Sequence, residues 1–225
     1  MKTVLLFGAS RGLGFEIARQ LYVRNQRIVA LVRPTTDSAL LEQLGVEVVR
    51  GDATSADDVS SAFAHAGNGA TVLSTLSGRD EQGHFVDEIA NALITDIARH
   101  STTERFLLVT AIGCGEMRPF RSERAIAAFG DVVDAKSRAE AYLRGSGVPY
   151  TLIRPGGLTN KPATGGGMLT SNWLVHGSIS RADAAEQIVS ALDSPRTIDR
   201  AFALVDEELA YFEGAERTVV AGSAP

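Results

Sequence analysis

Short apolar runs alternate with amphipathic stretches along almost the whole chain. The apolar runs predict strands at 1–7, 27–33, 46–50, 71–75, 105–110, 149–154 and 201–205. Residues with helical spacing predict helices over 15–21, 37–44, 55–64, 81–100, 131–144 and 181–192. Buried strands that alternate with helices are typical of a parallel sheet with helices on both faces. The pattern therefore predicts an α/β protein with a doubly wound parallel sheet, in a single domain over residues 1–225.

Individual residues mark several of the predicted helix ends. Asp37, Ser55, Asp131 and Ser180 stand at predicted helix starts, where a side-chain oxygen can accept a backbone N–H. Gly145 is predicted to end the helix that begins at Asp131. In the long helix over 81–100, apolar residues recur four apart, which predicts a buried stripe of Phe85, Ile89, Leu93 and Ile97.

A glycine-rich segment at 8–14 follows the first predicted strand and opens the first predicted helix. Gly8 lets the chain turn off the strand, Gly12 lets a pyrophosphate approach the backbone, and Gly14 lets the helix pack closely. Unpaired N–H groups at the helix N-terminus favour an anion. This order of strand, turn and helix predicts a dinucleotide-binding Rossmann fold, with cofactor contacts from Gly8, Ser10, Arg11, Gly12, Leu13 and Gly14.

The second predicted strand ends in Arg33, where an NAD-binding protein would carry an acidic residue for the ribose 2′-hydroxyl. Arg11, inside the glycine turn, can reach the same place. Two guanidinium groups suit a 2′-phosphate, because each donates paired N–H bonds. These residues predict NADP(H) as the cofactor. Asp37 is the competing acidic residue, but it lies four residues later and is expected to cap a helix.

The ends of three other predicted strands are also expected to contact the cofactor. The Asp52 carboxylate, after the third strand, suits the adenine amino group. The alternative is that Asp52 caps the next helix. Backbone groups after the fourth strand suit the ribose and nicotinamide, and the glycine after the sixth allows a close approach. The predicted contacts are Asp52, Ala53, Thr75, Leu76, Ser77, Pro155 and Gly156.

Five segments together carry a family resemblance: 8–14, Gly51-Asp52, Lys136 to Glu140, Ile153 to Leu158, and Ile179 to Ala185. In this order they resemble atypical short-chain dehydrogenases/reductases of the NAD(P)H-binding, NmrA-like type. The chain also resembles the small flavin/biliverdin-IXβ reductases. The resemblance implies a Rossmann fold and NAD(P)H binding over nearly the whole chain. It does not imply one reaction, because such families include reductases, redox sensors and proteins without known turnover.

The resemblance also implies a catalytic set, in which a tyrosine four residues before a lysine acts with a serine to protonate a carbonyl. Lys136 matches the lysine, which would hold the nicotinamide ribose, but the tyrosine position is Val132. The serine position is Thr110 or Ala111, of which only Thr110 keeps a hydroxyl. Glu140 is expected to fix Lys136 through an i,i+4 pair. The candidate catalytic residues are Lys136 and Thr110, without the usual acid.

The missing tyrosine narrows the expected chemistry. Flavins, quinones and other planar conjugated acceptors fit, because they delocalise charge and can take a proton from water, whereas simple ketones fit poorly. Asp131 is an alternative acid. The sequence therefore predicts an NADP(H)-dependent oxidoreductase that transfers hydride to a small planar, conjugated or carbonyl acceptor. The alternative is a non-catalytic NADP(H)-binding redox sensor, while epimerase chemistry is disfavoured because it needs a base at Val132.

Two segments, 113–130 and 156–178, are expected to line the substrate side. Within the second, the glycine-rich stretch from Thr159 to Gly167 and the residues that follow it, up to His176, are predicted to form a mobile loop over the cleft. Cationic side chains in these two segments can attract an anionic substrate or simply be solvated. Aromatic side chains in them can stack on a planar substrate ring or pack in the core. A histidine can supply a proton near neutral pH. The candidate substrate residues are Arg118, Phe120, Trp173 and His176, and Arg121 and Lys161 are further cations.

Composition excludes several classes of partner. A net charge of −5 gives no basic surface for nucleic acid, and no apolar run is long enough to span a membrane. The immediate first strand leaves no room for a signal peptide, and the single cysteine, Cys114, suits a reducing cytoplasm. A small-molecule substrate is expected, and the sequence leaves a homodimer open. The tail from Gly214 is small and polar and is predicted to be frayed.

Overall fold

A computed structural model describes residues 2–212, and within that range it contains twelve strands and six α-helices. The strands are β1 (Thr3–Phe7), β2 (Arg27–Val32), β3 (Glu47–Arg50), β4 (Thr71–Ser74), β5 (Arg105–Val109), β6 (Tyr150–Pro155), β7 (Gly157–Thr159), β8 (Gly167–Thr170), β9 (Val175–His176), β10 (Ser178–Ser180), β11 (Arg200–Asp206) and β12 (Tyr211–Phe212). The helices are α1 (Gly12–Val23), α2 (Ala39–Gln43), α3 (Ala56–Ala66), α4 (Val86–Arg99), α5 (Glu123–Arg144) and α6 (Arg181–Asp193). The tail from Gly214, predicted to be frayed, lies outside the described residues.

Eight strands form one sheet in the order β3-β2-β1-β4-β5-β6-β11-β8. All neighbouring pairs in it are parallel except β11 with β8, which is antiparallel. Alternate residues of β1 enter separate cores, with Leu6 packed among α1 and α6 residues and Leu5 among α3 and α4 residues. The α/β, doubly wound, single-domain Rossmann prediction is confirmed.

The strand order reverses between β1 and β4, because β2 and β3 lie on one side of β1 and β4 to β6 on the other. In an open parallel sheet, such a reversal leaves a crevice beyond the carboxyl ends of the strands. The segments that follow β1, β4, β5 and β6 all leave the sheet at this edge. The topology therefore brings the residues after Phe7, Ser74, Val109 and Pro155 to one side of the molecule.

Helix α4 differs from its prediction in both its start and its buried face. It begins at Val86 instead of 81, because Gly83 adopts a φ of 84° and the Asp80 carboxylate accepts the backbone N–H of His84. Of the four apolar residues spaced four apart, Ile89 is exposed, whereas Leu93 and Ile97 pack half-buried against the core. The face that is completely or almost completely buried consists of Asp87, Ala90, Asn91, Ile94, Thr95 and Ala98.

Helix α5 begins eight residues earlier than predicted. Ser122 caps it by accepting the backbone N–H of Ala125, and Gly145 follows its last residue as predicted. Asp131 is consequently an exposed residue within the helix, so its prediction as a cap is wrong.

The remaining predicted caps are mostly correct. The side chains of Ser55 and Ser180 accept the backbone N–H groups of Asp58 and Asp183, respectively. Asp37 lies one residue before the N-cap of α2, which is Ser38, although its carboxylate still accepts the N–H of Ala39. No helix among residues 2–212 is long and apolar enough to cross a membrane.

The loop predicted within 156–178 is interrupted by short strands, while residues 160–166 and 171–174 are not in strands. Segment 156–178 contains β7, β8, β9 and the start of β10, and β8 extends the main sheet. Its glycine-rich turn is tied down by two buried carboxylates. Asp183 accepts the backbone N–H groups of Thr164 and Gly165, and Asp206 accepts the Thr164 hydroxyl at 2.5 Å. These contacts between distant residues have no signal in the local sequence.

Candidate functional site

The glycine turn after β1 has the geometry that its sequence predicts. Gly8 has a φ of 86° and Gly12 a φ of 57°, values that residues with a Cβ rarely adopt. A Cβ on Gly14 would lie 2.0 Å from the Gly8 carbonyl oxygen, so only glycine lets α1 approach the end of β1 this closely. A Cβ on Gly12 would meet only the Arg181 side chain, at 3.5 Å. The turn therefore leaves an open cradle that fits a pyrophosphate.

The N-terminus of α1 faces this cradle. Arg11 is its N-cap, and neither its side chain nor an acidic residue in the first turn of this described helix occupies the free N–H groups. Arg181 reaches the same place from α6, where it donates to Asn160 at 2.8 Å. Sequence analysis gave Arg181 no cofactor contact, because its closeness to Gly12 arises from the packing of α1 against α6.

The predicted 2′-phosphate site is formed by exposed cations. Arg11 and Arg33 are both exposed, in the turns that follow β1 and β2. The chain after β2 is held by Arg50, whose guanidinium donates to the Thr36 carbonyl at 2.7 Å and also contacts the Ser38 hydroxyl. Arg50 thus fixes the backbone next to Arg33, a role that sequence analysis missed.

Asp52 and Ala53 follow β3 and are both half-buried. The Asp52 carboxylate accepts the backbone N–H and the hydroxyl of Thr54, at 2.8 and 2.6 Å. It does not cap α3, since Ser55 does. One carboxylate oxygen of Asp52 accepts both bonds. Asp52 lies just after β3, at the place where contact with adenine is expected.

The segment after β4 leads from the crevice into α4. Thr75 lies against the glycine turn, with its hydroxyl 3.2 Å from the Gly8 carbonyl oxygen, and the next residues, Leu76 and Ser77, are half-buried and exposed. The Ser74 hydroxyl donates to Asn91 at 2.6 Å and accepts the Leu76 N–H at 3.4 Å. This predicted cofactor segment is therefore anchored to both β1 and α4.

Lys136 lies on α5 and forms a salt bridge with the carboxylate of Asp87 on α4. The Lys136 side chain is 11% exposed and that of Asp87 is completely buried. The predicted i,i+4 pair of Lys136 with Glu140 is therefore wrong. The two helices pack side by side, so the nearest partner of Lys136 comes from α4, at a sequence distance that periodicity cannot detect.

Glu140 instead belongs to a buried network at the end of β5 and β6. Its carboxylate accepts the Thr110 hydroxyl at 2.6 Å and two bonds from the Arg154 guanidinium at 3.0 and 2.6 Å. Burial lowers the pKa of Arg154, but its bonds to Glu140 outweigh this and raise the pKa above the ordinary value. Thr110 is therefore committed to Glu140 and does not point a free proton at the crevice.

Val132 lies one turn before Lys136 on α5 and is half-buried. The neighbouring thiol of Cys114 is completely buried, and burial together with the charge of Glu140 raises its pKa to about 11. Cys114 is consequently protonated at neutral pH, as expected for a structural cysteine. Neither side chain can serve as an acid for a substrate at neutral pH in the way a tyrosine of lowered pKa does.

In the predicted substrate segment 113–130, the arginines Arg118 and Arg121 lie in different environments. Arg118 is exposed and lies 3.9 Å from Asp134, whereas Arg121 is almost buried and donates to Asp134 at 2.7 Å. Arg121 also donates to the Gly113 carbonyl at 2.6 Å, so it holds the segment together and is not a free cation. Phe120 is half-buried at the end of a 3-10 turn over Gly115–Phe120.

The aromatic candidates of the second segment pack on other residues. The Trp173 ring lies 5.1 Å from the Arg154 guanidinium carbon, so it covers the buried network. His176 lies in β9 and stacks on Tyr211 of β12 at 5.6 Å between ring centroids. Gly156 approaches protein instead of open space, because a Cβ there would lie 2.4 Å from the Gly177 carbonyl oxygen. Pro155 before it is buried at the end of β6.

A glycine turn at the switch point of a doubly wound sheet is typical of nucleotide-binding proteins. Residues 8–195 match the sequence profile of the NAD(P)H-binding family, and the chain belongs to that family. This confirms the resemblance to atypical short-chain dehydrogenases/reductases.

The comparisons with individual proteins agree with this assignment. An Escherichia coli O157:H7 structure described as the anaerobillin reductase ChuY is 35% identical, with a TM-score of 0.85, over 92% of this chain and 98% of that one. A Bacillus subtilis (strain 168) protein named uncharacterized sugar epimerase YhfK is 30% identical over 95% of this chain and 99% of its own length. Sanguinarine reductase of Eschscholzia californica is 35% identical over 53% of this chain and 44% of its own length.

Proposed function

We propose that the protein is an NADP(H)-dependent reductase that transfers hydride to a small planar, conjugated acceptor without a protein acid of the usual kind. The proposal rests on one observation about proton donors. The side chain of Val132 is apolar, and the Thr110 hydroxyl donates its hydrogen bond to the buried Glu140 carboxylate. An acceptor must then delocalise the charge it gains and take its proton from water. Names of two relatives, the anaerobillin and sanguinarine reductases, support reductase chemistry.

The cofactor part of the proposal rests on the cradle and its cations. The pyrophosphate would lie against Gly12 at the N-terminus of α1, with Arg181 beside it. Arg11 and Arg33 would hold the 2′-phosphate, since a guanidinium binds phosphate through paired N–H bonds. Lys136 would donate to the hydroxyls of the nicotinamide ribose. When bound, the reduced nicotinamide supplies the hydride.

The acceptor would lie beyond the nicotinamide end, between 113–130 and 156–178. Arg118 is an exposed cation of the first segment, and Phe120 is half-buried at the edge of the same segment. Trp173 and His176 would line the same acceptor site. The Trp173 ring is held by its packing on Arg154, and the His176 ring by its stack on Tyr211. A single buried thiol suits the cytoplasmic setting that we propose.

The test is consumption of NADPH by the purified protein with FMN, FAD, quinones, conjugated enones and simple ketones, with NADPH binding measured by calorimetry. We expect turnover with conjugated acceptors and little with simple ketones. Tight NADPH binding without turnover on any acceptor would overturn the reductase proposal and favour a redox sensor. The sensor alternative rests on the same observation, that Val132 carries no proton donor and the Thr110 hydroxyl is bonded to Glu140.

A further inference from the structure

We infer that Asp87 is a positioning residue for cofactor binding, and that it acts by holding Lys136 and the segment after β4 with one buried carboxylate. The inference rests on the proposed function, in which Lys136 donates to the nicotinamide ribose. Asp87 is not part of any motif in the sequence, and it lies 49 residues from Lys136.

The first step of the argument is the burial of the pair. The Asp87 side chain is completely buried and that of Lys136 is 11% exposed. A charge in such a place is stable only when it is paired and hydrogen-bonded. The Lys136 ammonium therefore has its direction set by Asp87. One of its three N–H groups is used in this way, which leaves two for ribose hydroxyls.

The second step is the other oxygen of the same carboxylate. Asp87 Oδ2 accepts the backbone N–H of Gly78 at 3.0 Å, four residues beyond the end of β4. One helical turn further along α4, Asn91 accepts the Ser74 hydroxyl at 2.6 Å and donates to the Asp87 carbonyl at 2.7 Å. The buried face of α4 thus holds both ends of the segment 75–77 that is predicted to contact the cofactor.

The third step is the charge of Lys136. A carboxylate in direct contact offsets the positive charge, so Lys136 offers hydrogen bonds but little net field to stabilise an oxyanion. This agrees with the absence of a tyrosine at 132, whose ionisation would need that field. The pair therefore favours acceptors that do not build up a localised negative charge.

A double-mutant cycle on NADPH affinity tests whether Asp87 acts through Lys136. Asp87→Asn keeps the shape and an oxygen for Gly78 but removes the charge, and Lys136→Met removes the ammonium. We expect Asp87→Asn to weaken NADPH binding about tenfold in the unaltered background and less than about twofold in the Lys136→Met background. An equal loss in both backgrounds would overturn the inference.

Thr95→Val is the matched control. Thr95 is buried on the same helix, and its hydroxyl donates only to the Asn91 carbonyl at 2.7 Å. We expect it to change NADPH affinity by less than about twofold, and a loss as large as that of Asp87→Asn would also overturn the inference. If Asp87→Asn does not fold, Asp87→Ser, which also removes the carboxylate charge, takes its place in the cycle, with the same expected and opposing outcomes.

Thermal unfolding without cofactor gives an independent readout. Each single variant leaves one buried charge unpaired, whereas the double variant leaves neither. We expect the melting temperature of the double variant to exceed that of the less stable single variant. A further additive loss would overturn the inference. Lack of turnover with an intact cycle would refute the proposed reductase activity alone.

Discussion

Glu140 and Arg154 form a bidentate ion pair in the interior, with Nε to Oε1 at 3.0 Å and Nη2 to Oε2 at 2.6 Å. The Arg154 side chain is completely buried and that of Glu140 is 2% exposed. The pair joins α5 to the end of β6, and Trp173 covers it. Because Oε1 also accepts the Thr110 hydroxyl, this contact couples the stability of the fold to the side chains beside the crevice.

Glu140→Gln should destabilise the protein by about 3–5 kcal/mol, because it leaves the buried guanidinium of Arg154 with only Glu116 as an ionic partner. The measurement is the free energy of unfolding in urea. Glu88→Gln is the control, since Glu88 forms an equally short pair with Arg138 at an exposed position and should cost about 1 kcal/mol or less. Similar losses for both variants would contradict this account of the buried pair.

Glu116 should make the free energy of unfolding depend on pH. Burial raises the pKa of Glu116, but hydrogen bonds from Arg144 and Arg154 outweigh it and hold the pKa at about 2, below the ordinary 4.5. A lowered folded-state pKa stabilises the fold above the unfolded value, and this contribution is lost as pH falls through the folded value. The stability deficit of Glu116→Gln should therefore be largest above pH 4.5 and shrink toward pH 2.

The deficit is measured by urea unfolding at several pH values, with Glu186→Gln on the exposed side of α6 as the control. The control should show no comparable change in its difference from the unaltered chain. A Glu116→Gln deficit that stays constant from neutral pH to pH 2 would contradict the role of the two arginines.

Replacement of Arg33 by Asp together with Arg11 by Ala should weaken NADPH binding at least about tenfold more than NADH binding. The physical reason is that two guanidinium groups are lost from the expected 2′-phosphate site and a carboxylate is added, which suits a free 2′-hydroxyl. Calorimetry with each cofactor measures the ratio, and Arg200→Ala, at the exposed start of β11, is the control. Equal weakening of both cofactors would refute the 2′-phosphate assignment.

Val132→Tyr should not create an efficient ketone reductase. The phenol would lie one turn before Lys136, but the charge of Lys136 is offset by Asp87 and the Thr110 hydroxyl is donated to Glu140. We expect ketone turnover to rise less than about tenfold, because general acid catalysis needs a donor with a suitable pKa and a matching pocket. Steady-state NADPH oxidation with simple ketones measures this, and a gain of several orders of magnitude would show that only the acid was missing.

The sheet, the glycine turn and most helix caps could be predicted because each depends on residues close together in the chain. The wrong helix starts of α4 and α5 are local errors, since the Asp80–His84 turn and the Ser122 cap involve residues within four positions. The other wrong predictions concern contacts between distant residues. The stripe of α4 was misassigned because that helix buries Asp87 and Asn91 to serve the β4 segment, which reverses the usual preference for apolar residues. The strands of 156–178 were missed because their partners are not adjacent in the chain. Strand β8 pairs with β11, more than thirty residues away, and β7 pairs with β10, about twenty residues away.

The sequence by itself determined the class of fold and the glycine turn after β1, since a turn that needs glycine at Gly8, Gly12 and Gly14 is encoded locally. Only the tertiary structure decided which charges meet. Lys136 pairs with Asp87 instead of Glu140, because helix packing and the cost of burying an unpaired charge select partners by distance in space. Spacing along one helix cannot show which neighbouring element will supply the opposite charge.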